Sequence, residues 1–212
     1  MKSLPFKKIL ALSAHTDDIE FGCGATLHRL LEQNSEIHVI VFSICEDSVP
    51  NGLSKDVLLH EMYRSAKMLG IKKENIEVHR FPVRKFPQYR QEILEILVAA
   101  GKKIKPDLVF THSTQDVHQD HHTVAEESIR AFRFTTLLGF ELPWNNIIST
   151  SQVIVEVNEN NLQAKTQAVA CYESQNFRSY AEGDIFLSQA KLRGIQGRKP
   201  YAEAFEAIRF IF

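Results

Sequence analysis

Apolar residues recur along this chain in two alternating rhythms. Short runs of β-branched and aromatic residues predict strands at Ile9 to Ala14, His38 to Ile44, Ile76 to Phe81, Asp107 to His112 and Gln152 to Val157, with a further strand at Phe205 to Phe212. Between them, apolar positions spaced near 3.6 residues predict helices over about Gly24 to Gln33, Lys55 to Leu69, Gln88 to Lys103, His121 to Phe132 and Asn161 to Ser174. Met62, Ala66 and Leu69 show that spacing, and Gly70 follows where glycine commonly ends a helix. Strands alternating with helices predict an α/β fold, a mostly parallel sheet with helices on both faces. Phe134 to Thr150, with Pro143 and Trp144, reads as a long connection of the kind that often covers a site.

Composition narrows the classes. The chain has 212 residues, 44% hydrophobic and 24% charged, which suits one soluble domain over positions 1–212 with a substantial core. A formal charge of -1 and no basic stripe argue against nucleic acid as a partner. No segment has the length and apolarity of a membrane span. Cys23, Cys45 and Cys171 are odd in number and far apart, which suits reduced thiols in a cytoplasmic protein. Self-association into a homo-oligomer is compatible with all of this and is not legible in the residues.

Two segments carry the chemistry. Ala14-His15-Thr16-Asp17-Asp18-Ile19-Glu20 follows the first expected strand, and Asp116-Val117-His118-Gln119-Asp120-His121-His122 follows the fourth. Residues just beyond the carboxyl ends of parallel strands gather along one edge, so about a hundred residues of separation need not keep them apart. A catalytic zinc has three protein ligands and one open position, and His15, Asp18 and His121 supply that set. Of the adjacent Asp17 and Asp18, one can bind metal while the other takes a proton from water. His118, three residues before His121, can face the same pocket.

Simpler readings exist for each residue. Asp17, Asp18 or Asp120 can cap the helix that follows. His112 reads as a packed or hydrogen-bonded residue at a strand end. His122 points away from its neighbour on a helix, and His28, His38, His60 and His79 lack suitable neighbours. Caps explain the aspartates but not four histidines at two strand ends. Gly22-Cys23-Gly24 suggests a nucleotide-using Rossmann-like enzyme, but its fingerprint wants a glycine where Leu27 stands. A non-catalytic, metal-stabilised sugar-binding module is the remaining alternative, and no Gly-x-Ser-x-Gly elbow supports a serine hydrolase.

The run Ala14-His15-Thr16-Asp17-Asp18-Ile19-Glu20-Phe21-Gly22-Cys23-Gly24-Ala25-Thr26-Leu27, with His118-Gln119-Asp120-His121, resembles the PIG-L or LmbE-like zinc deacetylases. The likeness extends through Glu61 to Gly70, Pro106 to Val109, Tyr172 to Gln175 and Tyr201 to Glu206. It implies a Rossmann-like fold and removal of an acetyl group from an N-acetylglucosamine-type moiety of a small glycoconjugate, nucleotide sugar or glycolipid. It implies His15, Asp18 and His121 as ligands of Zn2+ or another divalent metal, Asp17 as general base, His118 as stabiliser of the intermediate, and Asp120 as the acid that orients His118. Thr16 replaces the family's usual proline, and no arginine precedes Glu61 where many members carry one for substrate, with Arg64 the nearest substitute. Trp144, Phe140 and Tyr201 are aromatics able either to stack on a sugar or to pack.

Overall fold

The computed structural model describes residues 3–177 and 183–211. Among these residues seven strands are β1 (Lys8–Ser13), β2 (Glu36–Val41), β3 (Ile76–Val78), β4 (Leu108–His112), β5 (Thr136–Phe140), β6 (Val153–Val157) and β7 (Tyr201–Arg209). Six helices are α1 (Asp18–Glu32), α2 (Val57–Leu69), α3 (Arg90–Ile104), α4 (Gln119–Ala131), α5 (Glu159–Val169) and α6 (Gly183–Gly197). The sheet order is β3-β2-β1-β4-β5-β7-β6. The first five of these strands pair in parallel, and β7 runs antiparallel to both β5 and β6. This is the expected α/β, Rossmann-like architecture.

Three layers follow from the strand sequences. Ile9 and Ala11 of β1, Ile37 and Val39 of β2, and Leu108 and Phe110 of β4 join one core with α1, α2 and α5. Leu10, Leu12, Ile40 and Val109, from the alternate positions, join a second core with Ile93 and Leu97 of α3 and Val124 of α4. A strand covered on both faces must be apolar at every position, which is why these runs show no polar alternation.

Two elements lie outside the expected set. β5 lies inside the segment expected to be wholly a connection, and its Gly139 admits a close approach, since a Cβ there would sit 3.0 Å from the Ser113 Cα. α6 was not expected at all. Its Phe186 and Ala190 are buried, but Leu187, Leu192 and Ile195 are exposed, so the apolar stripe that betrays a helix is blurred. The last strand starts four residues earlier than expected and ends at Arg209, Phe212 lying outside the described residues, and the helix expected to run to Ser174 ends at Val169.

The doublet Gly22-Cys23-Gly24 sits inside α1 and not at its amino end, so it forms no phosphate cradle. Gly22 is there because a Cβ would lie 2.1 Å from the Phe140 ring of β5. Next to it, Lys165 of α5 donates to the Phe21 carbonyl (2.6 Å) and to Glu203 of β7 (2.7 Å), while Glu203 accepts from the Thr26 amide (2.7 Å). Glu206, three residues on, accepts from Ser113 Oγ and the Thr114 amide, both at 2.8 Å. One antiparallel strand therefore ties down both the helix after β1 and the loop after β4.

Gly22→Ala should lower stability by about 1–3 kcal/mol, because the added methyl must displace a fully buried ring. Urea denaturation followed by circular dichroism measures this, and an unchanged midpoint would mean that the α1–β5 contact is looser than described.

Candidate metal centre and active-site cavity

β1 pairs with β2 on one side and β4 on the other, with Ile9 opposite Leu108 and Ala11 opposite Phe110. The chain leaves β1 toward one neighbour and returns in the other, which opens a crevice beyond their carboxyl ends. The turn 14–17 and the segment 113–118 line that crevice. Thr16, in place of proline, is held by its own carbonyl, which accepts from the buried Tyr172 hydroxyl at 2.5 Å.

His15, Asp18 and His121 converge. His15 Nδ1 lies 2.9 Å from His121 Nε2. Asp18 Oδ1 is 3.4 Å from His121 Nε2, and its Oδ2 is 3.6 Å from His15 Nδ1. Donors about 2.0–2.1 Å from a tetrahedral ion are separated by about 3.4 Å, so the two ring nitrogens and the Asp18 carboxylate span one face of such a site. All three residues are buried. Two imidazole nitrogens aimed at each other out of water need a shared proton or a cation, and a nearby carboxylate favours either. The donor set fits a divalent metal with an open position.

Each imidazole is steered by a carboxylate on its far nitrogen. His121 Nδ1 is 2.8 Å from Asp116 Oδ2, and His15 Nε2 is 3.1 Å from Asp120 Oδ2. Such partners fix the tautomer and aim the other nitrogen. Asp116 also accepts from the His118 amide at 2.8 Å, and Asp120 from the amides of Arg84 (2.5 Å) and Phe86 (3.2 Å). Burial opposes ionisation of both acids, but the His121 contacts outweigh it at Asp116, and His15 with the amides outweighs it at Asp120. Both carboxyls are held below the ordinary range. At His15 burial pushes the pKa down, yet the charges of Cys45 and Asp18 and the Asp120 hydrogen bond carry it well above an ordinary imidazole.

The structure corrects one expected contact. Asp120's carboxylate steers His15 and not His118; it meets His118 only through its backbone, whose amide donates to His118 Nδ1 at 3.2 Å. That amide also shows that His118, and not Asp120, is the side chain capping α4. A ring that accepts at Nδ1 carries its proton on Nε2, so His118 is a neutral donor, and burial with the charges of His121 and His15 pushes its pKa down to about 4. Asp17 occupies the position before α1 without making a cap hydrogen bond.

His112 is as expected at a strand end. Its Nε2 accepts from the Ala14 amide (3.2 Å), and its ring stacks on His121 with centroids 4.0 Å apart. The ring nitrogens of His15, His118 and His121 lie close enough to share an ion, and His112 forms a second such group with Asp18 and His121, but its Nε2 lone pair is already used. His122 faces Glu126 on the exposed side of α4.

A cavity of about 310 Å³ opens over these residues, bordered by His15, Asp17, Asp18, His118 and His121 and by Cys45, Val83, Arg84, Trp144, Asn145 and Gln175. The connection after β5 does cover the site, through Trp144 and Asn145. Of the three aromatics singled out from sequence, Trp144 lines the cavity, whereas Phe140 is fully buried and Tyr201 packs at a separate small core. Arg64 donates to the Cys171 carbonyl and is not at the cavity; among the described residues the arginine there is Arg84. Sequence reading assigned Asp116 no role, although its place five residues before His121 was a usable signal.

Residues 10–132 match the model of the family described as PIG-L: GlcNAc-PI de-N-acetylase. A protein of Escherichia coli named uncharacterized deacetylase YaiS is 31% identical over 174 residues, covering 79% of this chain and 91% of its own length. Among solved structures, N,N'-diacetylchitobiose deacetylase from Pyrococcus horikoshii superposes with a TM-score of 0.79 at 20% identity, over 95% of this chain and 84% of that one. GalB, the 4-carboxy-2-hydroxymuconate hydratase from Pseudomonas putida, gives 0.76 at 19% identity over 97% and 98%. At such identities the two structures speak for the fold alone. Among the described residues, no helix is long and apolar enough to cross a membrane.

Asp116→Asn and Asp120→Asn should each weaken divalent-metal binding about 10–100-fold with the fold retained, because the ligating imidazoles lose the partners that aim them. Competition against a chromophoric chelator measures the affinity, and two variants indistinguishable from the parent would remove the steering role.

Proposed function

The chain belongs to the PIG-L family, and on that footing we propose that it is a metal-dependent hydrolase that removes the acetyl group from an N-acetylglucosamine-type moiety of a small glycoconjugate, nucleotide sugar or glycolipid. The observation that carries this reading is the convergence of His15 Nδ1, His121 Nε2 and Asp18 at the floor of a cavity that also contains an adjacent carboxylate and a neutral imidazole donor. The deacetylase names of the E. coli and P. horikoshii proteins support it.

His15, Asp18 and His121 would hold the cation, for which Zn2+ suits two imidazoles and a carboxylate. When bound, it supplies Lewis acidity to the acetamide carbonyl and to a water molecule. Asp17, at the cavity beside Asp18, accepts the proton of the attacking water as its oxygen bonds to the carbonyl carbon. His118 donates its Nε2 proton in a hydrogen bond to the carbonyl oxygen as charge develops there. The carbon–nitrogen bond then breaks and Asp17 passes its proton to the departing nitrogen, giving acetate and a free amine. Asp120 acts at one remove, holding His15 in the orientation that frees its Nδ1.

A cavity of about 310 Å³ is at the small end for ligand pockets and suits one sugar ring with its acyl group, the remainder lying outside. Trp144, set edge-on to Phe21 with centroids 5.2 Å apart, offers a ring for the sugar to lie against.

Incubation with N-acetylated amino sugars and their nucleotide, lipid and glycoside derivatives should liberate acetate and primary amine in equal amounts. Chelation should abolish this and Zn2+ restore it; turnover that survives complete chelation would overturn the reading. His15→Ala should lose both metal and activity. Asp17→Asn should keep metal and lose activity, and His118→Ala should keep metal while turnover falls about 10²–10³-fold. Equal metal loss in all three variants, by elemental analysis, would refute this division of roles.

A further inference from the structure

We infer that Arg84 sets the substrate selectivity of this cavity by binding an anionic group, a carboxylate or a phosphate, on the molecule whose acetyl group is removed. The inference rests on the deacetylase reading above and adds the charge of the substrate to it.

Arg84 sits between β3 and α3 with φ of 66°, a left-handed conformation. That conformation costs an L-residue about 1–2 kcal/mol and glycine almost nothing. The backbone there is fixed from both sides: its amide donates to Asp120 at 2.5 Å, and its carbonyl accepts from Gln119 Nε2 at 3.1 Å. Neither bond uses the side chain, so glycine would serve the backbone better. The backbone gives no reason of its own for an arginine here; Lys105 and Arg198 share the conformation, but of the three only Arg84 lines the cavity.

That guanidinium is available. Among the described residues no carboxylate or carbonyl accepts a hydrogen bond or ion pair from the Arg84 side chain, whereas Arg80, Arg90 and Arg193 close by or elsewhere end on Glu46, Glu127 and Glu141. Arg84 is also the one arginine or lysine among the described residues lining the cavity. Arg84 thus places a cation on the wall of a cavity whose floor carries the carboxylates of Asp17 and Asp18, and a cation so placed attracts an anionic group locally. Its planar fork of donors matches the paired oxygens of carboxylate and phosphate. Because Asp120 holds both the Arg84 amide and His15 Nε2, the anion-binding arm is fixed relative to the metal ligands and not merely near them.

The test compares three N-acetylglucosamine derivatives: the neutral methyl glycoside, the carboxymethyl glycoside and the 1-phosphate. Affinity is measured by calorimetry on the metal-free protein, where nothing is consumed, and kcat/KM on the zinc-loaded enzyme. The parent should prefer at least one anion over the neutral compound by about tenfold or more, less so as salt rises, and the preferred anion identifies which of the two groups the site takes. In Arg84→Gly, which relieves the backbone and should melt no lower than the parent, the anion-to-neutral ratio should fall to about one. Arg84→Lys should recover part of the ratio. A parent that treats all three compounds alike, or a preference intact in Arg84→Gly, would overturn the inference. Anion-selective binding lost in Arg84→Gly without any acetate release would instead sink the deacetylase reading and support Arg84 as the anion site.

Discussion

Parallel pairing of β1 with β4 is the constraint on which the site depends. Each strand is buried on both faces, so their register is set by packing into two separate cores, and slipping it would expose one core's residues to the other's environment. With Ala11 fixed opposite Phe110, the two chain ends that leave the sheet emerge side by side. His15 and His121, 106 positions apart, then come within 2.9 Å of each other.

Holding two imidazoles and a carboxylate in a buried cluster has an electrostatic requirement that the next shell meets. Asp116 and Asp120 each spend one oxygen on an imidazole and the other contacts on backbone amides. The acids are thereby kept ionised despite burial, and the imidazoles are kept in the tautomers that aim one lone pair inward. Charged groups in so dry a place would be costly alone, and the network converts that cost into orientation.

The wall around this floor is built from segments that make no ladder of their own. The stretch after β2 contributes Cys45, the loop 83–84 contributes Val83 and Arg84, the connection after β5 contributes Trp144 and Asn145, and the turn after α5 contributes Gln175. The sheet edge thus supplies the cavity's floor and the loops its wall. The fold is shared by proteins named as a deacetylase in P. horikoshii and a hydratase in P. putida, so the fold alone does not specify a reaction.

The sequence by itself determined the α/β class, five of the seven described strands closely, and the two segments whose side chains meet at the cavity floor. It could do so because buried parallel strands must be apolar throughout, and because chemistry concentrates His and Asp in two short segments. It concealed β5, whose five residues include Gly139, and α6, whose exposed apolar residues blur its periodicity. Only the tertiary structure decided which carboxylate steers which imidazole: Asp120, two residues from His118, reaches across to His15, and Asp116 takes His121. It alone moved the cavity arginine from Arg64 to Arg84 and chose Trp144 over Phe140 and Tyr201. Spacing along a chain reports what a helix or strand can bring together. Contacts between segments depend on how the sheet edge places their loops, and no local pattern encodes that.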